Sequence, residues 1–335
     1  MAFSLARLYG PDSAMNNTMP KVSVIMPSYN TATLIGEALD SVFAQSYRDF
    51  EVIVINDGSP DTPDLERVLE PYGERIVYLK QENRRACGAR NNGISRAKGE
   101  YLAFLDSDDS WTPGYLQSQI EHLEADTLLD MVYCDCLIYG DAPQAGKTFM
   151  QGCPSVGPVT FESVLAEQSQ IPISGTVVRR QVLLNAGGFD ERLAMCDDYE
   201  MWLRLAFHGA RITYYSDVLS RIRIGRPSSL SSSKSKMVAA FVTILLNVQA
   251  EWNLSVEQQA LLAEKLRLVQ ALLALELGKE LLRKGEFGQA RIQLEQANLH
   301  LRRGKLRLAL FGLRFAPALT ALTVRNWEKL TESLT

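Results

Sequence analysis

The chain has 335 residues and a hydrophobic fraction of 46%, enough to bury one large core or two smaller ones, which excludes a mini-protein and a disordered tail. Its 35 Lys and Arg against 39 Asp and Glu give a formal charge of −4, which singles out no partner and gives no sign of nucleic-acid binding. The total hides a split: residues 1 to 230 carry 20 basic and 30 acidic residues, residues 231 to 335 carry 15 and 9, an asymmetry that implies two regions with different tasks.

Residues 1 to 20 read as a loose leader, because Arg7 and the turn Gly10-Pro11-Asp12 interrupt the apolar stretch that a secretory signal would need. From Val22 onward, short β-branched runs alternate with helix-like stretches, as a mainly parallel sheet covered by helices requires. VSVIM (22 to 26), EVIVIN (51 to 56), RIVYL (75 to 79) and YLAFL (101 to 105) read as strands. Helices are expected near 33 to 44, 63 to 69 and 86 to 97. MVYCDCLIY (131 to 139) and ISGTVV (173 to 178) are further strands, separated by a Gly/Pro-rich surface segment from Gly140 to Pro158. Helices follow at Arg180 to Ala186 and Tyr199 to His208, and the serine-rich stretch Ser228 to Ser235 is expected to be mobile.

Beyond that stretch the strand signals stop. Leu261, Leu262, Leu266, Val269, Leu272, Leu273 and Leu277 recur at helical spacing, and Gly285 divides a hairpin-like pair at 277 to 297 that resembles one tetratricopeptide-style unit. A single unit cannot bury its own face, so it is expected to pack on neighbouring helices. Residues 301 to 335 hold 7 basic and 2 acidic residues around an apolar stretch (308 to 324). That composition fits a membrane-surface helix pair, a dimerising element or an ordinary packed helix with a solvated basic face. No uncharged apolar run reaches the ~18 residues of a membrane span. The five cysteines, at 87, 134, 136, 153 and 196, have neither disulfide-framework nor common zinc spacing, and mostly buried reduced thiols in a cytoplasmic protein are the expectation.

In a sheet of this type the ligand lies outside the carboxyl ends of the strands. Asp106-Ser107-Asp108-Asp109 follows the fourth strand directly, and hard divalent cations such as Mg²⁺ or Mn²⁺ take oxygen ligands from one or two carboxylates plus substrate phosphates. With 17 aspartates in the chain, about one Asp-x-Asp match arises by chance, so its position gives the motif its weight. The competing reading is an acidic turn before a helix capped by Thr112, with Pro113 at its first position. Asp197-Asp198 opens a second amphipathic helix, where helix-dipole capping competes with a general-base role toward a hydroxyl. Dinucleotide, P-loop, zincin and serine-hydrolase signatures are all missing, and only His122, His208 and His300 are available for histidine chemistry.

Taken in order, VSVIMPSYN (22 to 30), EALDSVFAQSYRDFEVIVINDGSPD (37 to 61), ENRRACGARNNGISRAKGEYLAFLDSDDSW (82 to 111), GGFDE (187 to 191) and CDDYEMWLRLAFHG (196 to 209) resemble the family 2 glycosyltransferases. The resemblance covers residues 21 to 230 and implies a GT-A catalytic domain, a Rossmann-like mixed and mainly parallel sheet, followed by an all-α region over 231 to 335. It implies a nucleotide-sugar donor, most often UDP-linked, a divalent metal (Mn²⁺ or Mg²⁺), and transfer of one sugar with inversion to a hydroxyl of a glycan or lipid-linked acceptor. Such a protein is expected to be cytoplasmic or peripheral at the inner membrane face. By the same resemblance, Pro27, Tyr29 and Glu37 fall in the first nucleotide-binding segment and Asp57 receives the base. Arg90 lies near the donor; Asp106, Ser107 and Asp108 face ribose and metal, with Asp108 the metal ligand. Asp198 is the catalytic base.

The sequence departs from the family pattern at Asn56, Arg85, Asp197 and Glu200, and at Arg-Ile-Gly-Arg-Pro (223 to 227), where many relatives carry Arg-x-His. There Arg223 and Arg226 are candidates for diphosphate contact, and the serine-rich loop is expected to close over the donor. A sugar-phosphate nucleotidyltransferase would need a Gly-rich loop where this chain has Pro27-Ser28-Tyr29-Asn30. The non-enzymatic alternative is a degenerate transferase serving as a scaffold, against which the retained Asp57, Asp106, Asp108 and Asp198 weigh.

Overall fold

The computed structural model describes residues 19–152, 154–155, 157–225, 233–321 and 323. The leader up to residue 18, Cys153, Arg226 with the serine-rich stretch as far as 232, and residues 324–335 lie outside the described residues.

Apolar runs set the centre of the sheet. β1 (Val22–Ser28), β2 (Phe50–Asp57), β3 (Val77–Gln81) and β4 (Tyr101–Phe104) pair in parallel, with Val24 opposite Val52 and Ile25 opposite Phe104. Helices α1 (Ile35–Phe43), α2 (Thr62–Leu69) and α3 (Arg85–Arg96) lie between them in the chain. Strand side chains alternate between faces. Val24, Met26, Val52 and Val54 therefore share one buried layer with Leu39 of α1, while Ile25, Ile53 and Ile55 share the other with Ile94 of α3. With both faces covered, β1 is buried along almost its whole length, whereas β3 is the half-exposed edge strand. Gly93 lets α3 come this close: a Cβ there would sit 2.7 Å from Ile25 Cγ2 and 2.9 Å from Ile55 Cδ1.

The second half of the sheet is mixed. It comprises β5 (Ser110–Trp111), α4 (Tyr115–Ala125), β6 (Met131–Gly140), α5 (Phe149–Gly152), α6 (Phe161–Leu165), β7 (Thr176–Arg179), α7 (Arg180–Asn185), α8 (Asp197–Phe207) and β8 (Ile212–Ile224). β7 is antiparallel to β4 and β6, β8 runs parallel to β6, and β5 pairs antiparallel with β8. The resulting eight-stranded order is β3-β2-β1-β4-β7-β6-β8-β5.

Three expectations need correction. The third strand begins at Val77 rather than 75, because Glu70–Arg75 forms a 3₁₀ turn in which Gly73 has φ 43°. Ile173–Gly175 likewise forms a 3₁₀ turn, so the strand expected from 173 starts at Thr176. Thr112 is no helix cap: its N–H donates to Leu219 O at 2.9 Å, which keeps it in extended chain beside β8, and α4 begins only at Tyr115.

After β8 the described chain is helical: α9 (Lys234–Glu251), α10 (Val256–Lys284), α11 (Phe287–Leu301) and α12 (Gly304–Phe315). Ser255 and Gln258 form a reciprocal capping box at the start of α10. Gly285, at φ 82°, ends it, with Glu286 N–H donating to Leu281 O at 2.9 Å. Ile244, Leu245 and Val248 of α9 and Leu262, Leu266 and Val269 of α10 belong to the same buried layer as Trp202 and Phe161. From Ala274 a second, smaller core takes over, built from Leu275, Leu282, Leu294, Leu306 and Leu313. The hairpin at 277 to 297 thus packs on neighbouring helices as expected. No described helix is long and apolar enough to cross a membrane.

Candidate functional site

Arg90 is the organising residue. It projects from α3 and is only 5% exposed. Its Nη1 donates to Asp197 Oδ2 at 2.6 Å and its Nη2 to Asp106 Oδ1 at 2.7 Å, with the guanidinium carbon 5.6 Å from the centre of the Phe189 ring. Burial works against the charge, but Asp197 and Asp106 outweigh it and hold Arg90 above its ordinary pKa. One side chain therefore ties together α3, the loop after β4 and the first turn of α8. Asp197 is consumed in that pair. The residue before it, Cys196, has φ 58° and no capping hydrogen bond.

Asp198 accepts a 2.9 Å hydrogen bond from the Tyr199 N–H. Its carboxyl is pushed up to about 6, chiefly by burial and then by the charge of Asp197, with Arg90 opposing. Asp109 is buried; it accepts from Ser174 Oγ at 2.6 Å and from Arg223 N–H at 2.8 Å. Burial, then Asp108 and Asp106, raise it well above the usual carboxylate range. Arg223 donates from Nε to Asp108 O at 3.2 Å and from Nη2 to Glu37 Oε2 at 2.6 Å, and it lies 4.4 Å over the Tyr139 ring.

Arg90, Asp106, Asp108, Asp198 and Arg223 line one cavity of about 470 Å³, closed on one side by Met237 and Phe241 of α9. Arg223 and Ile224 also border a wider pocket of about 840 Å³ reaching Asn30 and Asp61. Pro27, Tyr29, Ser107 and Asp57 do not line the smaller cavity. Tyr29 is exposed at the end of β1. Ser107 is buried and shares a 2.8 Å hydrogen bond with Thr31, which shares another with Ser28. Asp57, 2% exposed at the end of β2, accepts from Gln81 Nε2 at 2.7 Å and from Arg84 N–H at 2.8 Å. Burial raises its carboxyl, and those donors oppose the change. Glu37 reaches the cavity only through Arg223, and Arg226 lies outside the described residues.

The family departures fit locally. Asn56 is buried and bonded to Thr62, Tyr78 and Ser59 N–H at 2.9 Å each. Arg85 has φ 63°, the left-handed region that a glycine favours. Glu200 pairs with Arg204, whose Nη2 donates to Gly188 O at 2.7 Å and so steadies the turn before α8. The sequence reading missed Ser174 as the partner of Asp109 and missed Met237 and Phe241 as cavity wall. The Ser174 contact spans 65 residues and leaves no mark on local pattern. Cys87, Cys134, Cys136 and Cys196 are free thiols, and burial pushes Cys87 and Cys196 up to about 12.

A divalent metal fits the donor chemistry only as an ion shared between the protein and its substrate. Among the described residues no group of three His, Cys, Asp or Glu side chains could hold an ion alone. Asp106 is already paired with Arg90 and Asp109 with Ser174. One or two carboxylates after β4 match a Mg²⁺ or Mn²⁺ completed by substrate phosphates rather than a protein cage.

Comparison with known proteins agrees with this architecture. The model for glycosyl transferase family 2 matches residues 23–149, and that for glycosyl transferase family group 2 matches 101–254. An uncharacterized glycosyltransferase of Rickettsia prowazekii is 31% identical over 226 residues, covering 65% of this chain and 68% of the relative. One from Rickettsia felis is 33% identical over 205 residues, 58% of this chain, and there the chain spans only 33% of the relative's length. The putative teichuronic acid biosynthesis glycosyltransferase TuaG of Bacillus subtilis is 46% identical over 112 residues, 32% of this chain and 44% of the relative. Among solved structures, S. aureus TarS 1-349 in complex with UDP-GlcNAc superposes with a TM-score of 0.59 at 20% identity, covering 93% of this chain and 92% of that one. The mannosyltransferase PcManGT of Pyrobaculum calidifontis, in complex with GDP-Man and Mn²⁺, gives 0.60 at 19%, covering 93% and 89%. With its mixed sheet and its helical C-terminal region, the chain belongs to glycosyltransferase family 2 and has the GT-A fold.

Proposed function

We propose that the enzyme transfers one sugar from a UDP-linked donor to an acceptor hydroxyl, with inversion at the anomeric carbon and no covalent enzyme intermediate. The observation that carries this reading is the placement of Asp198, its carboxyl raised to about 6, in the same cavity as Asp108 and the Arg90–Asp106 pair. A base with a pKa just below neutrality is ionised at working pH and still accepts a proton readily. The acceptor oxygen attacks the anomeric carbon as its proton passes to Asp198. The bond from that carbon to the diphosphate oxygen breaks, and its electron pair leaves with the diphosphate.

Arg90 holds Asp106 and Asp197 fixed, so Asp198 keeps its position at the start of α8. Arg223, steered by Glu37 and Tyr139, is set to meet the diphosphate, and Arg226, three residues on in the sequence, is the second candidate. Pro27, Tyr29, Asp57, Asp106 and Ser107 serve the nucleotide. Asp108 is the residue that would hold Mn²⁺ or Mg²⁺, and such an ion would neutralise charge on the leaving group. In this reading residues 21 to 230 form the catalytic domain and 231 to 335 an appended helical region. The similarity to a teichuronic acid enzyme supports a cell-envelope glycan or its lipid-linked precursor as acceptor, handled on the cytoplasmic side.

Asp198→Asn tests the base. Transfer is expected to fall by about 10²-fold or more, while calorimetry with UDP and Mn²⁺ still reports wild-type binding. Wild-type turnover in that variant would overturn the assignment, and loss of UDP binding in the wild-type chain would overturn the donor.

A further inference from the structure

Helix α12 has two apolar faces, and only one of them is used. Leu306 and Leu313 are buried in the smaller core, and Ala309 between them is buried as well. On the opposite side Leu308, Phe311 and Phe315 are 65%, 67% and 68% exposed, spaced as one helical stripe, with the two phenylalanine rings 5.0 Å apart. Leu319, just beyond the helix, is exposed as well. Arg307 and Arg314 flank this stripe along one side and Lys305 along the other, as their positions around a 3.6-residue turn require.

The charges around the stripe lack acidic partners among the described residues, although the Arg314 guanidinium lies 5.8 Å from the centre of the Phe315 ring. Among the described residues no ion pair engages Arg302, Arg303, Lys305, Arg307 or Arg314. Several cations elsewhere are paired, as Lys21 is with Glu100 and Arg192 with Glu251. No Asp or Glu occurs between Glu295 and Glu328, so no acidic side chain is near in sequence to neutralise them. A soluble packing helix has no use for three large apolar side chains in water bordered by cations without acidic partners. An apolar ridge with a cationic border is the pattern that inserts shallowly into the headgroup region of an anionic bilayer.

We propose that the Leu308–Phe311–Phe315 face of α12 docks the enzyme on an anionic membrane surface, with Lys305, Arg307 and Arg314 against the headgroups. The helix lies in the interface plane and spans nothing, and the inference does not depend on which sugar is transferred.

The test is co-sedimentation of the full-length chain with phosphatidylcholine vesicles, with and without phosphatidylglycerol, at low and high salt. Binding is expected only with phosphatidylglycerol and is expected to weaken as salt rises. Phe311→Ser combined with Phe315→Ser, and separately Arg307→Gln combined with Arg314→Gln, are each expected to weaken it about tenfold or more. All four positions are exposed, so thermal melts should be unchanged. Failure to sediment with anionic vesicles overturns the proposal, as does binding that neither pair of substitutions alters. A dimer at sedimentation equilibrium that the phenylalanine substitutions dissolve would assign the stripe to a second copy and also overturn it.

Discussion

At the scale of single residues, chemistry and backbone make separate claims on stability. Asp198 is held above its ordinary value by burial and by Asp197, so its charged form is the less favoured one in the folded chain. A folded-state pKa above the unfolded value means that ionising the group costs stability, a cost present at neutral pH and relieved as pH falls through about 6 and then through the unfolded value. Asp198→Asn should therefore be more stable than wild type at pH 8, by up to about 3 kcal/mol, since each tenfold change in proton affinity is worth ~1.4 kcal/mol, with the difference shrinking below pH 6 and gone once the pH is below the unfolded value. The same group in the role of base predicts that kcat/KM climbs as pH rises through about 6 and then levels. Arg85 makes a backbone claim. Its φ of 63° costs a side-chain-bearing residue about 1–2 kcal/mol, so Arg85→Gly should raise the free energy of unfolding by about 1 kcal/mol, read as a higher denaturant midpoint, without altering donor binding.

At the scale of elements, legibility in the sequence followed burial. β1, β2 and β4 were plain because strands covered on both faces are written almost entirely in apolar, β-branched residues. β8 was missed: its burial runs from Ile212 through an exposed stretch at 216 to 218 to half-buried Ile224, and its register with β6 shifts around Asp135. A strand secured by backbone pairing and interrupted by an irregularity carries little hydrophobic period. The β-branched and aromatic run Ile212-Thr213-Tyr214-Tyr215 and the alternation Arg221-Ile222-Arg223-Ile224 were the local signals available. Asp106, Asp108 and Asp198, which line the smaller cavity, stand in segments that carry the family motifs. The Arg90–Asp197 pair, 107 residues apart, exists only once α3 and α8 are packed. That packing is tight enough to test. Gly93→Ala would press a methyl group into the side chains of Ile25 and Ile55, and since both are fully buried in the packed layer and have little room to shift, a loss of about 1–3 kcal/mol is expected. Arg90 moves with α3, so donor affinity should fall together with the melting temperature; a variant that melts lower yet binds UDP normally would show that α3 does not position the site.

At the scale of the whole molecule, composition divided the chain near residue 230, and the strand signals do stop there. Periodicity shows which face of a helix is apolar but not what that face meets. In the folded chain the division is bridged. Ile244, Leu245, Val248, Leu254, Leu262, Leu266 and Val269 are all buried in the layer that holds Trp202 and Phe161, and Met237 and Phe241 complete the cavity wall. At about 1.5–3 kcal/mol for each buried aliphatic side chain, these seven contribute roughly 10–20 kcal/mol before the entropy of ordering the helices is set against them. That is comparable to the entire net stability of an ordinary domain, about 5–15 kcal/mol. A chain ending at residue 230 would leave the opposite wall of this layer open to water, and it is expected to aggregate or to lose its cooperative melt. A chain ending at Lys284 discards α11 and α12 but keeps every one of the seven. It should melt cooperatively and bind UDP as the full chain does, while losing vesicle binding with α12. A soluble, UDP-binding chain of 230 residues would show instead that the helices only decorate a core sufficient without them.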